Sequence, residues 1–61
     1  MQHATLDLRA RLTELVTTAQ GCGPIASAAT EYIHELARQA EERRDWRAAQ
    51  LCRLALVHAE N

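Results

Sequence analysis

Both glycines and the single proline of this 61-residue chain fall in one four-residue run, Gly21-Cys22-Gly23-Pro24. Glycine and proline are the residues a helix interior tolerates least, so their concentration at one place leaves long stretches on either side free to be helical and forces a reversal between them. Gly21 suits the position just past a helix end, where positive φ is needed. Pro24 suits the first turn of the next helix, where its missing N–H costs nothing. The predicted turn is 20–24, and the helices flanking it should lie antiparallel as an αα-hairpin.

The rest of the composition agrees. Twelve alanines, eight leucines and no phenylalanine make a helix-forming chain with little to build strands from. At this length a core alone supplies only a few kcal/mol, so a disulfide, a metal or self-association has to be considered as support. The expected class is all-α, as an antiparallel helical hairpin or a three-helix unit within a single domain, assembling as a homo-oligomeric helical bundle.

Three helices follow from periodicity. Leu8, Leu12, Leu15, Val16 and Ala19 recur at helical steps and predict a helix over 5–19, with Thr5 as its N-cap, Asp7 near the positive end of its dipole and an Asp7–Arg11 pair on its wet side. Ile25, Ala28, Ala29, Tyr32, Ile33, Leu36, Ala37 and Ala40 predict a second helix over 25–43, whose opposite side bears Glu31, Glu35, Arg38 and Glu42 at pairing distances. Asp45 is placed to cap a third helix over 46–59. No glycine or proline enforces that second break, and one continuous helix from Pro24 to Ala59 is the alternative.

The third helix carries too many apolar residues for one neighbour to cover. Ala48, Leu51, Cys52, Ala55, Leu56 and Ala59 share a face, while Trp46, Leu54 and Val57 lie round the side. Surplus apolar surface on so small a chain points to a protein partner, to self-association as a homodimer or larger assembly, or to both. The partner-binding residues expected on this basis are Trp46, Ala49, Arg53, Leu54 and Val57. Trp46, at a helix start, suits either sealing of the inter-helix turn or anchoring of a partner.

The run Leu36 to Leu56, LARQAEERRDWRAAQLCRLAL, resembles the helix-turn-helix of a tetratricopeptide repeat. Leu36-Ala37, Asp45-Trp46 and Ala49 match its pattern in one register, and Ala48, Cys52, Ala55 and Leu56 match it one residue out of step. The resemblance covers about one 34-residue unit and implies a helical-hairpin module that presents a surface to a peptide or helix, with no cofactor.

Other classes find less support. Seven arginines against eight acidic residues give a formal charge of −1 with both signs interspersed, which argues against nucleic acid. The second function considered, a small dimeric helix-turn-helix-like DNA-binding regulator, would have to read a groove with Arg38 to Arg47, where Glu41, Glu42 and Asp45 alternate with the arginines. Cys22 and Cys52 form no CxxC; a bridge between them would add about 3 kcal/mol by loop closure, but free thiols are the expectation in a reducing compartment. His3, His34 and His58 lack the paired spacing of metal ligands. A Cys-His nucleophile would still need an oxyanion pocket and a closed cleft, so the expectation is no enzyme and no catalytic residues, cofactor or metal. No stretch reaches the ~20 apolar residues that span a bilayer and no signal peptide is evident, so no membrane association and a cytoplasmic location are expected.

Overall fold

The computed structural model describes the backbone of residues 2–60 and the side chains of residues 7–60. Three helices follow in order: α1 Gln2–Ala19, α2 Pro24–Glu42 and α3 Trp46–Glu60. The chain forms a three-helix unit in which α2 runs back along α1 and α3 returns beside both, every helix packing on the other two. No described helix is long and apolar enough to cross a membrane.

α1 starts earlier than periodicity indicates. Its backbone is helical from Gln2, which puts Thr5 inside the first turns and removes it from the N-cap position; its side chain lies outside the described residues. Apolar spacing marks where a helix must be covered, and the first turn of α1 extends beyond that point. Arg11 also departs from expectation: its guanidinium donates to the Tyr32 hydroxyl oxygen on α2 (3.3 Å) and forms no ion pair with Asp7.

The first reversal uses its glycines differently from the sequence reading. The Gln20 N–H donates to the Val16 carbonyl (3.0 Å) and the Gly21 N–H to the Thr18 carbonyl (3.1 Å), so α1 closes on a tightened turn without a left-handed residue. Positive φ occurs instead at Gly23 (φ 91°, ψ −170°), directly before Pro24, the first residue of α2. That conformation is essentially glycine-only, although a methyl group there would meet nothing within 4 Å. Gly23→Ala should therefore cost about 1–2 kcal/mol through backbone strain alone, measured as a lowered denaturation midpoint with helix content retained.

The second reversal needs neither glycine nor proline. Arg44 adopts the left-handed conformation (φ 58°), with its N–H bonded to the Glu41 carbonyl (3.0 Å) and the Asp45 N–H to the Ala40 carbonyl (2.8 Å). This paired 5→2 and 6→1 closure is a Schellman ending with arginine at the residue glycine usually fills. Asp45 then caps α3, its Oδ1 accepting from the Ala48 N–H (3.2 Å). One aspartate thus completes the end of α2 and the start of α3, and the continuous-helix alternative is excluded.

The core is built on Leu12, Ile33, Cys52 and Ala55, with Leu8, Leu15, Val16, Leu36, Ala37, Leu51, Leu56 and Ala59 packed around them. On α2 the buried residues are Ala26, Ala29, Ile33 and Ala40. The core stripe is therefore rotated from the one predicted: Ile25 is 73% exposed, and Ala28 and Tyr32 are also exposed. α2 must face α1 and α3 at once, so its buried line runs between them, and Ile25 sits about 80° round the helix from Ile33. Along the wet side Arg38 joins Glu35 and Glu42, the latter at 2.8 Å. The Arg38 hydrogen bond holds the Glu35 carboxyl below its ordinary range. Such exposed pairs add little stability, and what they add fades as acid protonates the carboxylates.

Candidate docking face

The α3 helix separates the five residues expected to meet a partner. Trp46 (64% exposed), Leu54 (52%) and Val57 (56%) stand on its outer side. With Gln50 they follow one another at steps of four, four and three residues, which on an α-helix is a single strip about 16 Å long. Ala49 does not belong to it. It is 3% exposed, one turn from Arg53 on the side facing α2, and no partner can touch it while the bundle is closed. The prediction for Ala49 is corrected accordingly: a small residue there permits close packing of helices. Arg53 is exposed but drawn sideways into an ion pair with Glu41 of α2, which ties the two helices together at the edge of the strip.

Beside the strip lies a groove between α1 and α3 that the sequence reading missed. It encloses about 350 Å³ and is lined by Arg9, Leu12, Thr13, Val16 and Thr17 of α1 and by Leu51, Leu54, Ala55 and His58 of α3. Leu54 belongs to both groove and strip and makes them one surface. The threonines add less polarity than their formulae suggest, because Thr13 Oγ1 donates to the Arg9 carbonyl (2.9 Å) and Thr17 Oγ1 to the Thr13 carbonyl (3.0 Å). The basic residues of the lining are Arg9 and His58, and no carboxylate lines the groove. A bond from Gln20 Nε2 to the His58 carbonyl (3.1 Å) pins the far end of α3 to the end of α1. The one sequence signal for this groove was the Leu12–Val16 spacing, which gave no hint that α3 would stand across from it.

A smaller hollow of about 210 Å³ lies near the α2–α3 turn, lined by Leu8, Leu36, Gln39, Ala40, Arg43, Asp45, Ala48 and Cys52. Both cysteines are free, Cys22 exposed in the first turn and Cys52 in the core. Burial raises the Cys52 thiol above its ordinary range, with a smaller push from the Asp45 charge. Since the thiolate is the reactive form, iodoacetamide should label Cys22 in the native protein and reach Cys52 only when the chain unfolds, a difference of one adduct by mass. The upward shift stabilises the fold while both folded and unfolded thiols stay protonated, and this contribution is lost as pH rises through the folded thiol's range. Among the described residues no three His, Cys, Asp or Glu side chains cluster as metal ligands would, and His3 lies outside the residues whose side chains are described. No protein-family model matches this chain, and neither does any curated protein or solved structure.

Proposed function

We propose that this chain is a non-catalytic protein–protein interaction module that acts as an adaptor, co-chaperone or inhibitor through the outer strip of α3 and the adjoining α1/α3 groove. The reading is supported above all by the exposure of Trp46, Leu54 and Val57 along one line of one helix. Large apolar side chains left in water along one side of a helix mark sites where small proteins meet partners, and tryptophan is among the residues most often found to anchor them. The occupant suited to a shallow apolar channel between two helices is another helix, supplied by a second copy or by a different protein.

The tetratricopeptide-like hairpin belongs to the same proposal, with α2 and α3 as the helix pair and Ala49, Cys52 and Ala55 as the small residues between packed helices. The DNA-binding alternative is less favoured, because Arg38, at the start of its Arg38–Arg47 segment, is paired with Glu35 and Glu42.

A hydrophobic fluorescent dye tests the proposal. At concentrations low enough for the chain to be monomeric, the protein should enhance its emission, and Leu54→Glu combined with Val57→Glu should remove most of the enhancement while circular dichroism stays unchanged. Both positions are exposed, so a charge at either should cost no more than about 0.5 kcal/mol of fold stability. Monomeric protein that leaves the dye dark, or a double variant that binds it as well as the parent, would defeat the reading.

A further inference from the structure

We infer that the occupant of the α3 strip is a second copy of this chain, paired antiparallel along α3 about a two-fold axis that crosses the outer face of the helix opposite Cys52. This rests on the reading of α3 as a docking face and specifies what covers it. Surface area is the first ground. The chain exposes 4710 Å² at 6.8 kDa, whereas area–mass scaling gives a folded monomer of that size about 4,000 Å². The surplus of roughly 700 Å² belongs to the whole chain, and it is of the size that association between copies removes from water.

The register of the strip is the second ground. A two-fold interface must be self-complementary, each residue meeting a counterpart brought to it by a half-turn about the axis. The midpoint of Trp46 and Val57 falls between Leu51 and Cys52, and the midpoints of Gln50 with Leu54 and of Arg44 with Glu60 fall on Cys52. An antiparallel helix pair therefore brings Trp46 over Val57 and Gln50 beside Leu54, each made twice, and sets Arg44, in the turn before α3, at the end of the partner helix that carries Glu60.

Charge selects this orientation over a parallel one. The start of α3 is flanked by Arg43, Arg44 and Arg47, and Asp45, the carboxylate among them, is committed to the Ala48 N–H. Parallel pairing would set two such arginine clusters side by side. Antiparallel pairing lays each cluster on Glu60 and on the carbonyl end of the other α3, where the helix dipole favours positive charge.

The test is sedimentation equilibrium of the full chain from low micromolar to near-millimolar concentration, read alongside the emission of Trp46, the only tryptophan. The expected result is a rise to twice the monomer mass, accompanied by a blue shift as Trp46 leaves water. Leu54→Glu should weaken the dimer at least about tenfold. Arg44→Glu and Glu60→Arg should each weaken it about three- to tenfold, and the two together should restore it, because the swapped charges again attract. A chain that stays monomeric yet still brightens the dye overturns the second copy and leaves the docking face standing. A monomer that leaves the dye dark overturns both. A dimer indifferent to Leu54→Glu, or one whose Trp46 emission does not move, pairs through another face and overturns the inference. A double charge variant weaker than either single one overturns the antiparallel register. A monomer whose Trp46 emission shifts only when an acidic amphipathic peptide is added assigns the face to a different protein and likewise overturns self-pairing.

Discussion

Ile33→Ala is expected to leave most of the chain unfolded at room temperature. Ile33 is 0% exposed and sits where α1, α2 and α3 converge, packed with Leu12, Cys52 and Ala55. Replacing a fully buried isoleucine by alanine removes three carbons and leaves a cavity, at a typical cost of 2–5 kcal/mol. In a large domain that would be a lowered midpoint. Here Ile33 and Cys52 are the largest fully buried side chains among the described residues, so the substitution removes much of the bulk at the centre of the core. A chain of this length carries only about 3–5 kcal/mol of stability in total, so the loss and the whole are of the same size. Helical circular dichroism at 25 °C and one fixed protein concentration is the measurement, since self-association would add stability that depends on concentration. Ile33→Val, which removes one methyl group, should cost about 0.5–1.5 kcal/mol and stay folded. If Ile33→Ala unfolds at the same denaturant concentration as the parent, the core is not where the structure puts it.

The two reversals show what local sequence could and could not reveal. The first was legible because glycine and proline leave a helix no alternative, although the positive φ fell on Gly23 and not on Gly21. The second was legible only in its later half. Asp45 has the chemistry of an N-cap and is one. Arg44 in the left-handed conformation carries no compositional mark, because the Schellman hydrogen bonds that hold it there come from the backbone. Ile25 illustrates a different limit: it fits a helical period with Ala29, Ile33 and Leu36, but the period says only that residues share a side. Which part of that side faces the core depends on where two other helices stand, and at Ile25 neither stands close enough to cover it.

The candidate face divides in the same way. Trp46, Leu54 and Val57 could be read from sequence because an apolar arc wider than one neighbour can cover is a property of α3 alone. The groove could not, since its walls come from helices separated by the whole of α2. Arg53 was anticipated as a contact for a partner, and its ion pair with Glu41 depends on the angle at which α3 returns along α2.

Ala49 provides the second large expected effect, because its two possible roles predict opposite outcomes for one substitution. Ala49→Leu adds three carbons at a position 3% exposed, where α3 faces α2 one turn from the Arg53–Glu41 pair. A close-packed interior has no room for them, so α2 and α3 must separate or neighbouring side chains must leave their preferred rotamers, at a typical cost of 1–3 kcal/mol. At this site, buried to nearly the same degree as Cys52, a loss of about 2–3 kcal/mol is expected, seen as a large drop in the denaturation midpoint. Gln50→Leu, compared at a concentration where the chain is monomeric, is the control, because the next residue along is exposed on the outer strip and should tolerate the same side chain within about 0.5 kcal/mol. Were Ala49 a docking residue, leucine there would alter dye binding or self-association and leave the midpoint unchanged. Strong destabilisation by Ala49→Leu, with Gln50→Leu near neutral, is the result that places the boundary between core and docking face between two adjacent residues of α3.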